Sequence, residues 1–125
     1  YKNDGLAGKV KFHDDIIDMG GSEDRKCLAL ELELTPKSPK RYRQMMDSLD
    51  ALNGVDKVVF ITRTKLIAGA IKSAMPDHYF SYFERPIGFA TLEDWTKNPM
   101  TAAIIFEDET TSIEKMSLEI RAKAA

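Results

Sequence analysis

The sequence predicts an α/β (α+β) fold with a central mixed β-sheet flanked by helices, and three observations carry that expectation. Apolar and polar residues alternate through CLALELEL, residues 27–34, which is the two-residue period of a half-buried strand. The period then lengthens, with Tyr42, Met45, Met46, Leu49 and Leu52 at helical spacing. A short, β-branched apolar run, DKVVFIT at residues 56–62, follows with the composition of a strand buried on both faces of a sheet.

Taken in order, GKVKFHDDIID and DRKCLALELELT read as two strands around a Gly-rich polar turn, GGSED, the chemistry that joins hairpin strands. A helix is expected over 39–53, with Ser38 as N-cap, Pro39 at the first helical position and Gly54 just past the end. A second helix over 64–75 places Ile67, Ala70, Ile71 and Ala74 on one face before Pro76 stops it. YFSYFE, residues 79–84, reads as the next strand by aromatic content. TLEDW then gives one helical turn, TAAIIF an edge strand, and the stretch from Glu107 a helix whose apolar rhythm is Ile113, Met116 and Ile120, or a flexible tail. The hairpin runs into a right-handed crossover, so KVVFIT should lie parallel to LALELEL, with the latter central.

At 125 residues the chain suits one domain, expected over 1–106, with 107–125 as the C-terminal helix or tail. The first residue is Tyr1, and a further region upstream is expected. Basic residues number 18 against 20 acidic ones, so no global field announces a nucleic-acid partner, and any such partner is met by a local patch. Cys27 stands alone, which excludes an internal disulfide and a multi-cysteine zinc site and agrees with a cytoplasmic location. No apolar run approaches the roughly 20 residues that span a bilayer, so no membrane partner is expected.

The alternation that makes a strand of CLALELEL also sets Glu31 and Glu33 side by side on one face, and Lys37, Lys40, Arg41 and Arg43 follow directly. An acidic residue on one strand, a turn, then E-x-E on the next strand and a helix bearing basic residues resembles the restriction-endonuclease-like, or PD-(D/E)XK, nuclease superfamily. More narrowly, HDDII and ALELELTPKSPKRY are similar to the nuclease-like domain of plasmid mobilisation and replication-relaxation proteins. The likeness covers Lys9 to Glu84. It departs from the superfamily at two places: Glu33 stands where a lysine is usual, and Asp15 is preceded by Asp14 rather than proline.

The resemblance implies a restriction-endonuclease-like core and a metal-dependent DNA-processing activity, nicking or relaxase-like, with other relaxosome or replication proteins as further partners. Asp15, Glu31 and Glu33 would then supply oxygen ligands to Mg²⁺ or Mn²⁺, hard cations that neutralise the charge developing on a phosphodiester in transfer. Lys37 would take the missing lysine's role at the scissile phosphate, making the catalytic set Asp15, Glu31, Glu33 and Lys37. Lys37, Lys40, Arg41 and Arg43 would hold the DNA backbone.

Plainer readings stand beside these. Glu31 and Glu33 could be the wet face of a strand, Asp14 could replace Asp15, and the basic run could be a solvated helix start. Tyr42 fits core packing better than a nucleophile, and Trp95 and the ring-rich 78–84 segment fit packing better than base stacking. His13 alone specifies neither a metal nor a proton relay. Two other functions remain: the same fold without chemistry, binding DNA or a protein, and, behind it, a receiver-like phosphate module. The latter lacks the helix it would need after the acidic pair.

Overall fold

The computed structural model describes residues 15–19, 27–50, 55–75 and 86–124. Strand β1 (Asp15–Asp18) pairs antiparallel with β2 (Cys27–Glu33), Asp15 standing opposite Leu30 and Asp18 opposite Cys27. Helix α1 (Pro39–Asp50) leads to β3 (Lys57–Thr62), which runs parallel to β2. Helix α2 (Lys65–Ala74) precedes β4 (Ile87–Thr91), parallel to β3. A short helix α3 (Leu92–Lys97), two two-residue strands β5 (Ile104–Ile105) and β6 (Thr110–Thr111), and helix α4 (Ile113–Ala124) complete the chain. The described strands form one mixed sheet in sequential order, β1-β2-β3-β4-β5-β6, as a hairpin followed by crossovers through α1 and α2 requires.

The helices cover both faces. On one, Tyr42, Met46 and Leu49 of α1 and Ile67, Ile71 and Ala74 of α2 bury against Ala29, Val58, Phe60 and Ile87. Each of the larger of these side chains contributes about 1.5–3 kcal/mol through its removal from water. On the other face, Ile113 and Met116 of α4 meet Leu28, Leu30, Val59, Ile61 and Ala90, with Leu92 and Trp95 of α3 packed at the margin. Both faces being covered explains why DKVVFIT is apolar without alternation.

One expectation changes, and two fall at least partly outside the described residues. The strand expected at 79–84 lies outside the described residues, and the described strand that pairs with β3 on that side is IGFAT, 87–91. TAAIIF supplies β5, but β6 pairs with it on its far side, so the edge of the sheet is β6. The described first helix is Pro39–Asp50, and the expected continuation to residue 53 lies outside the described residues. No helix among the described residues is long and apolar enough to cross a membrane.

Gly88 explains why β4 looks unlike a strand in sequence. A Cβ there would lie 2.8 Å from Cε1 of Phe106 and 2.9 Å from Cγ2 of Ile104, so the sheet admits only hydrogen at this point. Gly88→Ala is expected to lower stability by about 1–3 kcal/mol, the cost of overpacking a tight core. Gly69, in α2 with nothing within 4 Å of its added methyl, should behave oppositely. Gly69→Ala is expected to raise stability by about 0.5–1 kcal/mol. Urea unfolding of the two variants checks both signs.

Candidate active site

Polarity along the α1/α2 face rises toward the carboxyl ends of the parallel strands. In register across β2, β3 and β4 stand first Ala29, Val58 and Ile87, then Glu31, Phe60 and Phe89, then Glu33, Thr62 and Thr91. The first row is wholly apolar and the last wholly polar. The Phe60 and Phe89 rings stack at 5.8 Å between centroids, which makes the wall beside Glu31 apolar. The two glutamates are not a wet face: Glu31 is 5% exposed and Glu33 3%. The exposed positions of the strand are instead leucines, Leu32 and Leu34. A carboxylate so buried must be met by a counter-charge, by hydrogen-bond donors or by a proton.

For Glu33 the counter-charge is Lys37, whose Nζ contacts Oε1 of Glu33. The loop that carries Lys37 is held from beneath. Its backbone N–H donates to the phenolic oxygen of Tyr42 at 2.9 Å, and Tyr42 is itself fully buried in the core. Ser38 caps α1 by accepting from the N–H of Arg41 at 3.2 Å. Tyr42 is therefore a packing residue whose hydroxyl fixes the position of Lys37, and its burial argues against a nucleophile.

The other anticipated residues fall as follows. Lys40, Arg41 and Arg43 are exposed on the first turns of α1. Asp15 stands in register with Leu30, the phase of the ladder that alternates with Glu31 and Glu33, so the β1–β2 pairing does not align it with the glutamates. Asp14 and His13 lie outside the described residues. Among the described residues no three His, Cys, Asp or Glu side chains gather to hold a metal ion. The structure thus brings together Glu31, Glu33 and Lys37.

Sequence reasoning passed over Arg63 and Lys65. Arg63 follows β3 at the same edge, and its N–H donates to the carbonyl oxygen of Glu33 at 3.1 Å. Thr64 between them caps α2, accepting from the N–H of Ile67 at 3.2 Å. A basic residue on either side of an N-cap threonine, with no acid in the first turn, was the available signal. Comparison with protein-family models, with curated protein sequences and with solved structures gave no match.

The Glu33–Lys37 contact has a measurable weight. Removing one partner of a fully buried pair costs roughly 3–5 kcal/mol. Lys37 retains 32% of its side-chain exposure, so Lys37→Met is expected to cost less, about 1–2 kcal/mol. Adding Glu33→Gln to that variant should recover most of the loss. Urea unfolding of the double-mutant cycle measures the coupling, and a value near zero would make the contact incidental.

Proposed function

We propose that this chain is a metal-dependent DNA-processing domain of restriction-endonuclease-like type, nicking or relaxase-like, of the kind found in plasmid mobilisation and replication-associated proteins of the cytoplasm. The observation that carries the reading is the burial of Glu31 and Glu33 together at the carboxyl end of β2, directly before a basic helix start. Folding alone gives no reason to bury two like charges under helices at the carboxyl end of a strand, whereas cation chemistry does.

The donor set fits the proposed ion. Mg²⁺ is commonly held by one or two carboxylates and completed by water and substrate phosphate, so Glu31 and Glu33 suffice as its protein ligands. Bound there, Mg²⁺ or Mn²⁺ would supply Lewis-acid neutralisation of the charge on a reacting phosphodiester. Lys37 holds Glu33 and stands where the strand end opens toward the exposed face of α1, suited to a phosphate oxygen. Lys40, Arg41 and Arg43 hold neighbouring phosphates, positioning the strand without reading its bases.

A second reading has one observation in its favour. Lys37 already provides Glu33 with a cation, so the site can be electrically satisfied without a metal, as in a nuclease-fold module that only binds DNA or a protein partner. Calorimetry with MnCl₂ separates the two. The wild type is expected to bind the ion, and Glu31→Ala to weaken binding by at least about tenfold, or 1.4 kcal/mol. Wild-type protein that retains DNA but binds no Mn²⁺ would leave the second reading in place.

Lys37 gives a further test. Lys37→Ala should abolish nicking of supercoiled plasmid while DNA affinity, measured by fluorescence anisotropy, stays within about twofold, as expected of a group acting in the transition state. A parallel fall in both would make Lys37 a phosphate-binding residue only.

A further inference from the structure

We propose, building on that reading of the carboxyl edge, that the DNA backbone is held by two clusters at once: Lys40 and Arg41 on α1, and Arg63 and Lys65 at the start of α2. The clusters are far apart in sequence and are brought together by the parallel pairing of β2 and β3. That pairing places the residue after β3 against the end of β2, where the Arg63 N–H meets the Glu33 carbonyl oxygen. Helices α1 and α2 lie on the same face of the sheet and share one buried cluster, and each begins at the carboxyl edge where Glu33 and Thr62 stand in register.

The side chains are available. Lys40, Arg41, Arg63 and Lys65 are all exposed, and among the described residues none of the four is in an ion pair, Lys37 being the basic residue that is. Their placement also runs against what stabilises a helix. Helices α3 and α4 follow the dipole, with Glu93 and Asp94 or Glu114 in the first turn and Lys97 or Arg121 and Lys123 in the last. Neither α1 nor α2 has an acid in its first turn, and both begin among basic residues. A cation at a helix start costs a few tenths of a kcal/mol, and here the cost recurs on the two helices that share an edge.

The shape of the charge selects the ligand. A single phosphate can neutralise one cluster, whereas a chain of regularly spaced phosphates meets both and releases counterions from each. The ridge also has a limit. Beyond β4 the edge turns acidic, with Glu93 and Asp94 on α3, so the strand is directed across α1 and α2 and away from α3.

The test is anisotropy of a labelled DNA duplex of about 20 base pairs across a salt series. Each phosphate neutralised contributes about 0.9 to the slope of log affinity against log salt, so these four side chains should contribute about −3.6 to the slope, beside any share of Arg43 and Lys37. Arg63→Ala with Lys65→Ala should make the slope shallower by about 1.8 and weaken binding on the order of tenfold, with unchanged Mn²⁺ binding. Arg63→Lys with Lys65→Arg, which keeps both charges, should restore the slope and guards against a fold defect. If the alanine pair binds with the wild-type slope while Lys40→Ala with Arg41→Ala weakens, the second cluster is refuted and the functional reading stands. If the wild type does not bind the duplex, both are refuted.

Discussion

Strand β2 pairs with β1 over Cys27–Leu30 and with β3 over Leu28–Glu33, and it buries Leu28 and Leu30 on one face and Ala29, Glu31 and Glu33 on the other, a constraint on which the rest of the edge depends. A side chain on such a strand cannot leave its face unless the whole register slips by one residue. Leu28 and Leu30 are buried against α4 on one face, so Ala29, Glu31 and Glu33 are committed to the other, under α1 and α2. The face that the glutamates take is thus set by Leu28 and Leu30, the buried leucines that precede them. A slip that freed the acids into water would drag Leu28 and Leu30 out of their cluster, at a cost of roughly 1.5–3 kcal/mol each.

From that commitment the neighbouring chemistry follows. Glu33 requires a counter-charge, Lys37 reaches it from the loop that leaves the strand, and the Tyr42 hydroxyl holds the loop by its backbone. The ring of Tyr42 is at the same time a core residue among Met46 and Leu49. Packing and electrostatics are joined in one side chain, and the position of the Lys37 ammonium against Glu33 is set by the hydrophobic core of α1.

The parts of the fold that were legible in sequence are those whose pattern is local. The hairpin, the capped α1 helix and the crossover into β3 follow from a period of two giving way to a helical one, with Pro39 and Ser38 marking the change. Strand β4 was not legible, because the reason for Gly88 is Phe106, a contact across the sheet that local propensity does not encode. Alternation placed Glu31 and Glu33 on a common face but not under helices, since a period of two names the faces without saying which is covered. It also left the phase of β1 open, and the ladder puts Asp15 with Leu30. The basic start of α1 could be read as a run, but Arg63 and Lys65 join it only through the parallel register.

The two helix starts and the two buried acids are best understood together. A carboxylate is stabilised near the amino end of a helix, where unsatisfied N–H groups carry partial positive charge, and basic side chains are disfavoured there by the same field. At this edge Glu33 ends β2 where α1 and α2 both begin, an arrangement the dipoles favour, while Lys40, Arg41, Arg63 and Lys65 stand outside in water, where the penalty is screened. The result is layered: acids inside, helix ends and Lys37 around them, free cations on the surface. On the proposed function, such layering would hold a polyanion at the surface with Glu31 and Glu33 beneath it. An edge selected for stability alone would have reversed the layers, with acids on the first turns, as α3 and α4 have, and apolar residues in place of the glutamates.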